Sequence, residues 1–168
     1  QVFNKDTVNQ ESKEVYIQQF NELIERDKNH PSIIMYSLAN EANTHEEFAL
    51  EYFEDIFAHA RTKTDLPLMI VEWVGAKDNK VAQLADVIGI NRYISWYHDF
   101  ADLDVIKEKL TKDLTEYYEK FKKPLVLTEF GADTITGLHQ LPSVAFSEEF
   151  QIEFIEEYKN VINTLDFV

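Results

Sequence analysis

The chain has 168 residues, 45% apolar and 13% aromatic, which excludes a disordered segment and suffices for one sizeable core. Its formal charge of −15 is spread over the polar faces of presumed helices, and no clustered Lys/Arg surface exists to bind nucleic acid or an anionic membrane. There is no cysteine for disulfides or thiolate metal sites, and no apolar run of membrane-spanning length; Gln1 to Gln10 is too polar for a signal peptide, so a cytoplasmic location is expected.

Short apolar runs alternate with longer segments of helical period. The first helix is stapled by Tyr16, Phe20, Leu23 and Ile24, and precedes the run Ile33 to Leu38, which is rich in β-branched residues and too short for a helix. A second helix is predicted from Thr44, with Glu47 completing a capping box and Ala49, Tyr52, Phe53, Ile56, Phe57 and Ala60 on one face. After the run Leu68 to Val71 comes a short helix over Asn79 to Leu84, then the run Val87 to Ile90. A long helix over Asp102 to Phe121 turns Ile106, Leu110, Leu114, Tyr117, Tyr118 and Phe121 inward. The run Leu125 to Leu127 follows, and the last helix, after Ser147, buries Phe154, Ile155, Tyr158, Val161, Ile162 and Leu165.

Strands joined by helices imply a parallel α/β sheet, because parallel neighbours need a crossover connection. Each apolar run ends in polar groups: Asn40-Glu41, Glu72, Asn91-Arg92 and Thr128-Glu129. Four successive strands each delivering a polar group suit a barrel mouth, and the glycine-rich first turn of a doubly wound nucleotide site is missing. The expected fold is therefore a partial (β/α)8 TIM barrel of about four parallel strands with flanking helices. A complete barrel takes roughly 250 residues. Residues 1–168 are thus expected to be one unit of a catalytic barrel whose first three strands and last strand lie elsewhere, and inactive in isolation.

Two carboxylates at one barrel mouth are what glycoside hydrolysis requires, one to protonate the leaving oxygen and one to attack or to activate water. Glu41 and Glu129 form the natural pair, with Glu72 a third carboxylate that spacing does not rank out. Other chemistries fare worse. His45-Glu46-Glu47 opens like a zinc-protease helix, but Ala49 stands where the second histidine belongs. No serine sits in a Gly-x-Ser-x-Gly elbow, and the remaining histidines are scattered. No metal and no organic cofactor is expected.

The local sequences are more specific. Arg26 to Met35, running on to Ser37-Leu38-Ala39-Asn40-Glu41, resembles the acid/base segment of the glycoside hydrolase family that contains β-glucuronidases and bacterial β-galactosidases. Thr128 to Thr134 resembles that family's nucleophile segment. Asn91-Arg92-Tyr93-Ile94-Ser95-Trp96-Tyr97, Gly137-Leu138-His139 and Phe146 to Gln151 are similar to its β-glucuronidase branch.

The resemblance implies a retaining hydrolase of terminal β-D-glucuronides, with Glu41 as acid/base and Glu129 as nucleophile. It implies that Asn40 bonds the sugar 2-hydroxyl, that Asn91 and Tyr93 line the same subsite, and that Tyr97 lies near the glucuronate carboxylate. Trp96 is either a wall of that pocket or a core residue. Arg92 is left out, since alternation turns it away if Asn91 and Tyr93 face the mouth. Tyr36 and Ile94 depart from the family pattern, and its Asn-x-Lys motif for the glucuronate carboxylate has no counterpart in these residues. A neutral-sugar hydrolase like a β-galactosidase, which the Asn91 to Tyr97 segment disfavours, and a non-catalytic interaction module are the alternatives. The implied partner is a small glucuronide, and the full-length enzyme is expected to be a homo-oligomer.

Overall fold

The structure is a computed structural model that describes residues 6–168; the first five residues of the polar opening stretch lie outside it. Four α-helices and four strands are described in the order α1 (Gln10–Asp27), β1 (Tyr36–Asn40), α2 (Glu47–Arg61), β2 (Leu68–Glu72), β3 (Val87–Asn91), α3 (Ile106–Phe121), β4 (Leu125–Glu129) and α4 (Glu148–Ile162), with no α-helix between β2 and β3. The sheet order is β1-β2-β3-β4, the sequential order expected of parallel strands with helical crossovers. This is the four-strand portion of a TIM barrel. By its contacts the chain divides within β3 into two units, residues 6–89 and 90–168.

In the first unit, α1 opens on a reciprocal cap: Asn9 Oδ1 accepts from the Ser12 amide at 2.9 Å, and Ser12 Oγ accepts from the Asn9 amide at 3.0 Å. β1 and β2 pair in parallel with Tyr36 opposite Leu68 and Ser37 opposite Met69, and the register slips before Asn40 meets Val71. Phe20, Ile24, Leu38, Phe53, Ile56, Leu68 and Ile70 make the core. Each such side chain stabilises the fold by about 1.5–3 kcal/mol through burial. Arg61 at the end of α2 grips Asp86 through two nitrogens at 3.0 and 2.9 Å, and Asp86 in turn accepts from the Leu68 amide at 2.9 Å, so one ion pair sets where β2 begins.

Three details of the first unit differ from the sequence expectations, and in the second the helix predicted from Asp102 begins with a 3-10 turn, Leu103–Val105, before α3 starts at Ile106. β1 starts at Tyr36 rather than Ile33, and Ile34 is exposed. The short helix over Asn79 to Leu84 is a single 3-10 turn, Ala82–Leu84. The capping box at Thr44 does not form: α2 starts at Glu47, and the Thr44 hydroxyl is committed elsewhere, donating to Glu72 and accepting from Asn79.

In the second unit, α3 packs on α4, with Ile106, Leu110, Leu114, Tyr117, Phe150, Phe154 and Tyr158 buried. Lys122 ends α3 in the left-handed conformation, its amide bonding the Tyr118 carbonyl at 2.7 Å. Ser147 caps α4 by accepting from the Phe150 amide at 3.2 Å. Of the residues assigned to its inner face, Phe154, Tyr158 and Val161 are buried, Ile162 and Leu165 are half-buried, and Ile155 is exposed. Among the described residues no helix is long and apolar enough to cross a membrane.

Candidate active site

Glu41 follows β1 directly and is half-buried. Its φ of 53° lies in the left-handed region, a conformation that costs a non-glycine residue about 1–3 kcal/mol and persists only where the surroundings over-determine it. The determinants are legible. The Glu41 amide donates to the Val71 carbonyl at 2.9 Å, extending the β1–β2 ladder by one bond, and Ala42 behind it is buried. Asn40, the last residue of β1, is exposed. Beyond them His45 meets the half-exposed Trp73 edge to face, with centroids 6.2 Å apart.

Glu72, last of β2, is fully buried rather than displayed to solvent. Its Oε2 accepts from Thr44 Oγ1 at 2.6 Å, and Thr44 Oγ1 accepts from Asn79 Nδ2 at 3.1 Å. A buried carboxylate bonded in this way is held in place as part of the structure.

In the second unit, Asn91 ends β3 and Glu129 ends β4. Glu129 is held at both its backbone and its side chain. Its carbonyl accepts from the Arg92 amide at 2.9 Å, and its Oε2 accepts from the Tyr93 hydroxyl at 2.9 Å. Asn91 is 4% exposed, and its Oδ1 accepts from Thr128 Oγ1 at 2.6 Å. Arg92, just past β3, packs on α3: its Nε donates to Asp113 Oδ2 at 2.6 Å and its guanidinium lies 5.7 Å from the Tyr117 ring. Burial works against the charge of Arg92, but Asp113 and Tyr117 outweigh it and raise its proton affinity.

After Tyr93 the chain turns sharply. The Tyr93 carbonyl accepts from the amides of both Trp96 and Tyr97, at 3.0 and 2.9 Å, and the buried Ser95 has φ 71°. The turn sends neighbouring aromatics in opposite directions. Trp96 is 7% exposed and packs against Phe100, Phe146 and Phe150, whereas Tyr97 is 68% exposed, its ring 4.7 Å from that of Tyr93. Tyr158, whose acidity burial suppresses, donates to the Ile94 carbonyl at 3.1 Å and braces the turn from α4.

Thr44, Asn79 and Thr128 were not among the expected site residues. Hydroxyl and amide groups beside charged residues were the available signal, but nothing in the sequence pairs Thr44 with a residue 28 positions away.

The geometry supplies a carboxylate beside a phenol at the end of β4 in one unit and a carboxylate on a strained, anchored turn directly after β1 in the other. These are the parts from which acid/base and nucleophilic chemistry at a glycosidic bond is built. The family model for the TIM barrel domain of glycosyl hydrolases family 2 matches residues 1–166, and the chain belongs to that family.

A protein of Paenibacillus borealis named beta-glucuronidase is 44% identical over an alignment 168 residues long that covers 99% of this chain and 28% of that protein. Human beta-glucuronidase is 38% identical over 144 residues, covering 85% of this chain and 22% of that protein. Among solved structures, a beta-D-glucuronidase of Dictyoglomus thermophilum matches with a TM-score of 0.96 at 46% identity, over 100% of this chain and 29% of that one. A beta-glucuronidase of Ruminococcus gnavus in complex with D-glucuronic acid matches with a TM-score of 0.88 at 36% identity, over 94% of this chain and 28% of that one. The chain spans less than a third of the length of each of these relatives.

Proposed function

We propose that this chain is part of the catalytic barrel of a retaining β-glucuronidase, with Glu129 as nucleophile and Glu41 as acid/base. The observation that carries the reading is the Tyr93 hydroxyl on Glu129 Oε2 at 2.9 Å. A phenol donating to one carboxylate oxygen keeps that carboxylate in a single orientation and leaves its other oxygen for attack on the anomeric carbon. Relatives named for β-glucuronide hydrolysis, one of them solved with D-glucuronic acid, supply the substrate class.

In the proposed cycle Glu41 protonates the glycosidic oxygen while Glu129 attacks the anomeric carbon, forming a covalent glycosyl-enzyme. Glu41, now a carboxylate, then takes a proton from water as that water displaces Glu129. Asn40 and Asn91 hold sugar hydroxyls, and Tyr97 lies toward the glucuronate carboxylate. The reaction needs no metal or organic cofactor. The protein in its natural length is taken to be a homo-oligomer.

The test uses that natural-length protein. Glu129→Ala should abolish hydrolysis of aryl β-glucuronides, and added azide should restore turnover with α-glucuronyl azide as product, because a small anion can occupy the vacated nucleophile position. Glu41→Ala should slow substrates with poor leaving groups far more than activated ones, since only the former need the proton. Indistinguishable behaviour of the two variants would remove the role assignment.

A further inference from the structure

We propose that Thr44, Glu72 and Asn79 form a buried positioning network that sets the turn carrying Glu41. The inference rests on reading Glu41 as the acid/base. The four residues Glu41 to Thr44 are gripped at both ends by successive residues of β2: the Glu41 amide bonds the Val71 carbonyl at 2.9 Å, and Thr44 Oγ1 donates to Glu72 Oε2 at 2.6 Å. Between them the Thr44 amide closes back on the Ala42 carbonyl at 2.8 Å.

Asn79 completes the arrangement from the loop after β2. Its Nδ2 donates to Thr44 Oγ1 at 3.1 Å, while its Oδ1 caps the amides of Val81 and Ala82 at 3.0 and 2.8 Å. The Lys80 amide then donates to the Thr44 carbonyl at 3.1 Å, and the Lys80 ammonium reaches Glu47 at the start of α2. Thr44 and Glu72 are fully buried and Asn79 is 2% exposed.

The hydroxyl of Thr44 has one proton, and the network assigns it. Asn79 can only donate through its nitrogen, so the hydroxyl proton must go to Glu72. This fixes the Thr44 side chain and, through a short tight segment, the left-handed φ of Glu41. It also explains why Thr44 abandons the helix cap that its spacing to Glu47 offers. Thr44, Glu72 and Asn79 are positioning residues; none is assigned contact with substrate.

A general acid must meet the leaving oxygen within about half an ångström of its productive position, so a loosened turn should impair proton delivery first. In the natural-length protein, Thr44→Val should lower kcat/KM for phenyl β-D-glucuronide at least about tenfold, and that for the 2,4-dinitrophenyl glucuronide less than about threefold. Thr44→Ser, which keeps the hydroxyl, should recover most of the loss.

Asn79→Asp keeps the oxygen that caps Val81 and Ala82 but places two carboxylates around one hydroxyl proton, so it should behave like Thr44→Val, and it serves should Thr44→Val fail to fold. Adding Glu72→Gln to Asn79→Asp moves the carboxylate to the other side of the hydroxyl and should restore both activity and order. Amide hydrogen exchange at Glu41, Thr44 and Lys80 should rise in the two single variants and return in the double, with α1 unchanged.

Equal losses on the two substrates, or exchange in the turn no faster than in the unsubstituted protein, would overturn the positioning role. If the unsubstituted protein hydrolyses no glucuronide, the proposed function fails instead, and the exchange measurements alone decide whether the network holds the turn.

Discussion

Tyr93 and Glu129 meet through one hydrogen bond of 2.9 Å between side chains 36 residues apart, phenol to carboxylate, at the end of β4. A hydrogen bond to a charged group contributes about 1.5–3 kcal/mol. Tyr93→Phe should therefore lower kcat/KM for aryl β-glucuronides by roughly 10- to 150-fold while leaving the ring contact with Tyr97 intact. Steady-state kinetics beside a melting curve checks it. Unchanged kinetics with a folded variant would mean that the phenol does not orient the nucleophile.

Arg92 and Asp113 form an ion pair in which both partners are largely enclosed, with side-chain exposures of 11% and 22%. Removing one partner of a buried pair leaves an uncompensated charge, which costs about 3–5 kcal/mol when burial is complete. Because Arg92, the charge left behind, retains some solvent, Asp113→Ala should destabilise by a smaller amount, about 2–3 kcal/mol, read from urea unfolding. Combining it with Arg92→Met should cost less than the sum of the single changes, since no charge is then stranded.

Much of this was readable in advance, for reasons that can be named. The helix faces of α2 and α3 and the four strands follow from apolar periodicity, which tertiary context rarely overrides when a segment is long or fully buried. The failures have a common cause. Thr44 and Glu47 satisfy a local capping pattern, but Glu72 and Asn79, remote in sequence, offer the Thr44 hydroxyl buried partners, and the helix starts three residues later. Glu72 sits at a strand end like Glu41 and Glu129, and only burial separates it from them. Likewise, the inward turn of Trp96 depends on the left-handed Ser95, which no propensity predicts for a serine.

His139 is exposed at the loop before α4, between two glutamates: its Nδ1 lies 2.9 Å from Glu149 and its Nε2 3.6 Å from Glu148. The Glu149 hydrogen bond, followed by the charges of Glu148 and Glu149, raises its proton affinity above the ordinary value of 6.5. A raised value stabilises the folded loop below the ordinary one and loses that contribution as pH climbs through the raised one. Glu149 is lowered from 4.5, chiefly by the Gln140 amide and then by His139, so its own contribution is present above 4.5 and disappears as pH falls through the lowered value. The loop should thus be tightest between pH 4.5 and 6.5. An NMR titration of His139 should give a midpoint above 6.5 that falls toward it in Glu149→Gln. A midpoint at or below the ordinary value would show that the clasp does not form in solution.

Trp96 and Tyr97 are consecutive aromatics with opposite surroundings, and substitutions at the two should separate stability from recognition. Trp96 is enclosed by Phe146 at 5.1 Å, Phe100 at 5.5 Å and Phe150 at 6.4 Å between ring centroids. Truncating a buried tryptophan costs about 3–5 kcal/mol, and because Phe100 and Phe146 are themselves partly solvated, Trp96→Ala should fall near the lower end. Tyr97 is 68% exposed, so Tyr97→Phe should leave stability within about 0.5 kcal/mol. If its hydroxyl bonds the glucuronate carboxylate, that same variant should raise KM for aryl β-glucuronides about tenfold with kcat little changed, because the contact would exist equally in ground and transition states. Urea unfolding and steady-state kinetics on both variants resolve the two effects. A Tyr97→Phe protein with unaltered KM would assign glucuronate recognition to other residues, and a Trp96→Ala protein of undiminished stability would mean that the aromatic cluster is not what holds the turn.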